Sequence, residues 1–373
     1  MNNMFKYIRD YGELTFEEKP ITIVDILIFS QLPYLDFSNI FTSKDETVKL
    51  SDIWTKLRNK NIGIEGLSQR TTMKLLNRIS TKKRYKDLLL KNYIYILKED
   101  TQFGAISIIV PNDKVYVAFE GTDTTLWGWK EDFKLTYTYP TESQKLAAKY
   151  LNQTIKLTGP NIVVCGHSKG GNLALVGAMR TNIFKKYKIK QVYSFDGPGL
   201  KKEEFKSFNY KLIRNKLINI IPNSSLVGIL LEQENNIVIK SRAVGLLQHD
   251  VATWVVEEDK LKPAVQDNIS KRLDLSISQW LAKHNYKERK EIIEGVFNAL
   301  ENAGIKDFYE GNRLETIYKI IKASKNMPED TREVILTSIK LLAADVSSDF
   351  INDGKQEIQN KLEQIKKKSG VKM

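Results

Sequence analysis

The chain has 373 residues, with 58 lysines and arginines against 45 aspartates and glutamates, a net charge of +13 and a pI near 9.3. That length allows one substantial domain with additions, or two domains, around a sizeable buried core. The single cysteine, Cys165, excludes an intrachain disulfide and a zinc site built from several cysteines and is consistent with a reducing, cytoplasmic setting, while the dispersed basic charge permits contact with an anionic membrane and brings no nucleic-acid-binding motif with it.

Residues 1–90 read as an N-terminal helical cap or extension. Ile21, Val24, Leu27, Ile28 and Leu32 recur at helical spacing, and Leu67, Met73, Leu75, Leu76 and Ile79 do so more loosely. No chemistry is recognisable there. Met1 to Leu14 carries Lys6, Arg9, Asp10 and Glu13 without an apolar core, so no signal peptide is expected. Asp25 interrupts the apolar run Ile21 to Phe29, and no stretch reaches the length of a membrane-spanning helix.

Residues 91–257 change to strand patterning. Tyr93 to Leu97, Phe103 to Val110 and Val115 to Phe119 come first, the last two joined by the turn Pro111-Asn112-Asp113. A helix from about Thr141 to Leu157 leads into the apolar run Ile162 to Cys165. Strands Gln191 to Phe195, Leu217 to Ile221 and Asn236 to Ser241 follow, with a short helix around Lys202 to Phe208. Alternating strands and helices predict an α/β fold with a mainly parallel sheet covered on both faces.

Gly166-His167-Ser168-Lys169-Gly170 lies where the strand Ile162 to Cys165 gives way to the small and apolar residues Asn172 to Met179. That is the pattern of a nucleophile elbow. Glycines two positions either side of a serine let strand and helix backbones approach closely, lift Oγ above the sheet edge and aim the first helix amides at whatever Oγ attacks. Cys165 reads as a small packed hydrophobe.

A serine nucleophile needs a base, and histidine titrates nearest the working pH. Three histidines are available. His167 precedes the serine and is expected to point away from Oγ and support the turn; His284 lies in a charged helical segment and reads as solvated. His249, just after the last predicted strand, remains as the base, in the chain order of an α/β-hydrolase. Asp196, which ends the strand after the elbow helix, is the candidate acid, although it would equally well hydrogen-bond the turn Gly197-Pro198-Gly199. Asn223, Ser224 and Ser225 occupy the next strand end and would orient His249 with less support for its imidazolium.

Beyond residue 257 the chain reads as a C-terminal helical region, 258–373, with amphipathic stretches through Trp280, Ile293, Phe297, Leu300, Ile317 and Ile335, and a sparsely apolar last helix from about Ser347 to Lys368. Scattered histidines without ligand spacing and the lack of a phosphate-binding loop predict no metal and no cofactor.

The strand ending in Gly121-Thr122, followed by Trp127, Trp129 and Asp132, resembles the corresponding segment of fungal-type class 3 triacylglycerol lipases. Together with the elbow, Phe195-Asp196-Gly197-Pro198-Gly199 and Leu246-Leu247-Gln248-His249-Asp250, it is similar to a bacterial family of uncharacterised lipase-like α/β-hydrolases. The resemblance covers roughly Gly12 to Glu257 and implies an α/β-hydrolase fold. It implies Ser168 as nucleophile, His249 as base, the amides of Thr122 and Lys169 as oxyanion donors and Asp132 as the brace of that loop. It departs at Glu120, where an arginine is common, and at the usual acid position, which holds no carboxylate. Trp127, Trp129, Phe133, Tyr137 and Tyr139 crowd this loop, to line an acyl pocket or to serve as core. The expected activity is hydrolysis of a lipid or other acyl ester through an acyl-serine. A thioesterase or peptidase on the same fold and a hydrolase-like scaffold with little catalysis are the alternatives.

Overall fold

The computed structural model describes residues 2–43, 46–58, 66–98, 101–122, 126–243 and 245–302, with short pieces between 304 and 333. The predicted helix 347–368 lies outside them. Eight strands form one sheet in sequential order: β1 (Thr47–Lys49), β2 (Leu89–Lys98), β3 (Thr101–Ile109), β4 (Val115–Phe119), β5 (Ile162–His167), β6 (Ile189–Phe195), β7 (Leu217–Pro222) and β8 (Asn236–Ile239). The first four pair antiparallel, and β4 through β8 pair parallel. Parallel neighbours need crossovers: α5 (Leu126–Lys134) and α6 (Glu142–Thr154) lie between β4 and β5, α7 (Lys169–Arg180) and α8 (Ile183–Lys186) between β5 and β6, and α9 (Phe208–Ile213) between β6 and β7. The architecture is that of an α/β-hydrolase: a mainly parallel sheet between helical layers.

Period-two alternation assigns each strand's two faces. Val115, Val117, Phe119, Ile162 and Val164 pack against Ala147 and Leu151 of α6 and Leu173 and Val176 of α7. Tyr116, Ala118, Val163 and Cys165 face the opposite layer, where they meet Val24, Leu27 and Ile28. Those residues belong to α2 (Ile23–Gln31), which follows α1 (Met4–Tyr11) and precedes α3 (Leu50–Leu57) and α4 (Gly66–Ile79). All of α2 from Val24 to Gln31 is buried, Asp25 included. That carboxylate is held by Arg84 at 2.6 and 2.9 Å, by Tyr85 Oη at 2.7 Å and by Tyr7 Oη at 2.9 Å. Burial next to Asp25 pushes both phenols well above their ordinary pKa.

At the other end, a two-strand ladder joins β9 (Val256–Glu257) to β10 (Lys260–Leu261). The helices α10 (Asn268–Lys283) and α11 (Tyr286–Asn302) then close on α5. Phe133 meets Phe297 with ring centroids 5.7 Å apart, Lys130 pairs with Glu294 at 2.5 Å, and Tyr137 Oη donates to Glu294 at 3.1 Å. His284, read from sequence as solvated, instead bonds Asp330 through Nε2 at 2.9 Å, an acid that Lys283 and His284 hold down near pKa 2. Among the described residues no helix is long and apolar enough to cross a membrane.

Candidate active site

β5 delivers the elbow. Ser168 sits between β5 and α7 with φ 58° and ψ −136°, a left-handed backbone that an L-residue adopts only where its surroundings enforce it. What enforces it here is close approach: a Cβ at Gly166 would lie 2.1 Å from the Gly170 carbonyl oxygen. Ser168 N donates to Phe195 O at 2.9 Å, and Gly171 N donates to Ser168 O at 2.8 Å, so the turn is pinned from both sides. Ser168 is 2% exposed.

β6 ends one strand over and turns at Asp196, also at positive φ, 50°. Its Oδ2 lies 2.7 Å from His249 Nδ1, so Asp196 is the carboxylate within reach of the ring. Oδ1 of Asp196 accepts from Ser225 Oγ and, at 3.1 Å, from Gly228 N. The other acid-position candidates are engaged elsewhere. Ser224 Oγ donates to Asp267, and Asn223 Oδ1 accepts from Ser241 N at 3.1 Å. Asp250, next to His249, caps the following short helix by accepting from Ala252 N at 2.9 Å.

Under His249 lies His167, with ring centroids 4.5 Å apart. His167 Nε2 is 2.9 Å from the His249 carbonyl oxygen, which can only accept, so Nε2 carries the proton. Nδ1 of His167 then accepts from Tyr34 Oη at 2.8 Å. Burial, and then the neighbouring His249, hold His167 well below the usual histidine pKa, which keeps this neutral tautomer in place. Tyr34, just past α2, joins the site without any sequence signal.

The strand β4 leads into Glu120-Gly121-Thr122, which crosses the elbow. A Cβ at Gly121 would lie 2.0 Å from Tyr34 Oη and 2.9 Å from Ser168 Cβ, so only glycine lets this loop cross the serine. Thr122 Oγ1 donates to Asp132 Oδ1 at 3.3 Å. Lys169 opens α7, and its amide is one of the first of that helix, without an intrahelical acceptor. Its side chain turns inward: Nζ meets Glu131 at 2.6 Å and Gln102 O at 3.0 Å while only 2% exposed. Burial opposes that ammonium, but Glu131 and Asp132 outweigh it and the Lys169 pKa is raised. This pair of a buried lysine with a half-buried carboxylate ties α5 to the elbow. Glu120 itself is buried and accepts from Gln102 Nε2 at 3.1 Å.

Of the aromatic residues near the loop, Phe133, Tyr137 and Tyr139 belong to packing: Phe133 and Tyr137 contact α11, and Tyr139 bonds Glu204 at 3.0 Å. Leu226 and Ile229 to Leu231 pack with Leu135 and with Leu273 and Ile277 of α10. Trp129 is half-buried on α5, and the side chain of Trp127 lies outside the described residues.

Asp132 is fully buried, and desolvation, strengthened by Glu131 and opposed by Lys169, His249 and Thr122, pushes its pKa from 3.8 up to about 7. Between those values the folded chain keeps a proton that the unfolded chain has released, so this group makes stability fall as pH rises from 3.8 to about 7 and level off above. Replacing Asp132 by Asn is expected to remove that component. The wild type should lose stability relative to Asp132→Asn as pH climbs through this window, measured by urea unfolding; parallel pH curves would refute it.

The sequence profile of the Mbeg1-like family matches residues 79–298. No curated protein matches the sequence. Among solved structures, one titled "Crystal structure of M37 lipase" is similar at 14% identity and a TM-score of 0.35, over 68% of this chain and 79% of that one. The profile spans the sheet from β2 to β8, the elbow, Asp196 and His249. The chain belongs to the Mbeg1-like family, a lipase-like family of α/β-hydrolases.

Proposed function

We propose that the chain is a serine hydrolase that cleaves acyl esters through an acyl-serine intermediate. The observation that carries this reading is the 2.7 Å bond between His249 Nδ1 and Asp196 on the strand end beside Ser168. Asp196 fixes the ring so that Nε2 is the basic nitrogen. Nε2 takes the proton of Ser168 Oγ as Oγ attacks the ester carbonyl, and the amides of Thr122 and Lys169 receive the oxyanion. Collapse passes the proton from His249 to the leaving alcohol. Water, deprotonated by the same nitrogen, then releases the acid and restores Ser168.

Thr122 is held by Asp132 and Lys169 by Glu131, so both donors stand on braced elements before substrate arrives. In this reading Trp129 on α5 contacts the acyl chain, and the buried thiol of Cys165 suits a reducing, cytoplasmic setting. The test is covalent. A fluorophosphonate probe should add one adduct to the folded chain, mapped by mass spectrometry to Ser168, and none to Ser168→Ala. Adduct that persists in the variant, or a folded wild type that takes none, rules the serine mechanism out.

A further inference from the structure

Three segments, 154–160, 183–190 and 205–216, contain no aspartate or glutamate, and they meet on one face. Tyr187 Oη donates to Leu157 O at 3.2 Å, Lys186 Nζ to Asn209 Oδ1, and Lys216 Nζ to Lys186 O at 2.8 Å. Leu157, Ile183, Phe184, Tyr187, Phe208 and Leu212 stand exposed there, six of the twelve exposed large apolar side chains among the described residues. Phe184 is 74% exposed and Phe208 is 64% exposed. A surface normally scatters such side chains singly; gathered together they mark a contact.

Around them stand Lys156, Lys185, Lys188, Lys190, Lys211 and Arg214, none of them in an ion pair among the described residues. Where these cations are satisfied locally, the acceptors are neutral: Lys185 Nζ reaches Asn152 O, and Lys188 Nζ reaches Gly159 O. Partial burial and then neighbouring lysines depress the pKa of Lys186 and Lys216, so the face is crowded with positive charge. Exposed aromatic and aliphatic side chains ringed by unpaired cations complement an anionic bilayer, whose phosphates meet the lysines while its interface takes up the rings.

We propose that this face, built from α8, α9 and the turn before β5, docks the protein on a bilayer containing anionic phospholipid. It lies where β5, β6 and β7 begin, whereas Ser168 follows the end of β5. Six residues of strand separate the two ends by roughly 20 Å. Docked in this way, the catalytic end faces away from the lipid, and its substrate arrives from the aqueous side.

The test is co-sedimentation of the full chain with vesicles of phosphatidylcholine alone or mixed with phosphatidylglycerol, at low and high salt. Binding should require phosphatidylglycerol and weaken with salt. Phe184→Ser/Phe208→Ser and, separately, Lys190→Glu/Lys211→Glu should each weaken it about tenfold or more. Turnover of a water-soluble ester by these variants should match the wild type with or without vesicles, so the result stands apart from the fate of the hydrolase reading. Failure to sediment with anionic vesicles, equal binding to both lipids, or variants that bind like the wild type would each overturn the proposal. So would concentration-dependent dimerisation that Phe184→Ser/Phe208→Ser abolishes, because the face would then belong to a second copy of the chain.

Discussion

Asp196→Asn is expected to lower kcat on a chromogenic acyl ester by about 10⁴-fold while KM changes by no more than about twofold. The argument rests on which oxygen is already spoken for. Oδ1 of Asp196 accepts from Ser225 Oγ and from Gly228 N, two donors fixed by the loop after β7. An asparagine has one carbonyl oxygen and one amide nitrogen, and the oxygen must remain against those donors. Its NH₂ then faces His249 Nδ1, which becomes an acceptor and drives the ring proton to Nε2. A protonated Nε2 cannot take the proton of Ser168. The ester still binds, since nothing in the acyl or oxyanion contacts has changed, and the loss falls on the chemical step. The comparison needs kcat and KM for the wild type, Asp196→Asn and Ser168→Ala, with unfolding curves to establish that each is folded. A kcat within about tenfold of wild type would leave Asp196 as a turn residue and return the acid's role to an atypical arrangement.

How much of this was legible without coordinates follows from the kind of signal each residue leaves. Ser168 is announced by local steric demand, glycines flanking a serine between an apolar strand and a small-residue helix, and His249 by the scarcity of histidines. The sheet from β2 to β8 shows through period-two patterning and intervening helices, and β1, three residues long, is too short to show a period. Asp196 carries the weakest signal of the three, because a carboxylate before Gly-Pro-Gly serves a turn or a triad equally well in one dimension; the bend at φ 50° and the path of the loop to Gly228 turn it toward His249. Tyr34 meets His167 from 133 positions away, and Lys169 meets Glu131 from 38. Pairs of that kind carry no periodicity. Nothing in the sequence marks the Lys169 side chain for burial, and only the arrival of α5 over it makes burial tolerable. His284 fails for the same reason, its partner Asp330 lying 46 residues on.

Asp25→Ala is expected to destabilise the chain by about 3–5 kcal/mol, the largest stability effect foreseen for a single substitution away from the elbow. Both members of the Asp25–Arg84 pair are 0% exposed. Arg84 also donates to the carbonyls of Lys19 at 2.8 Å and of Thr15 and Pro20 at 3.2 Å, tying the loop between α1 and α2 to the segment after α4. Removing the carboxylate strands a guanidinium and two phenols, Tyr7 and Tyr85, away from water, and the cost comes from those orphaned groups more than from the lost attraction. Asp25→Ala combined with Arg84→Met should therefore recover part of the loss, because no buried charge is left unpaired, although the loop carbonyls lose their donor. Urea unfolding of the two variants measures this; a single variant within about 1 kcal/mol of wild type would show the pair to be as weak as a surface one. The consequence reaches the elbow through the chain itself. The same α2 that carries Asp25 runs on through Leu32 to Tyr34, whose hydroxyl reaches His167, which in turn holds the carbonyl of His249. Loosening this layer should let Tyr34 leave His167 before the sheet unfolds, so turnover in Asp25→Ala is expected to fail at lower urea than the sheet's circular dichroism.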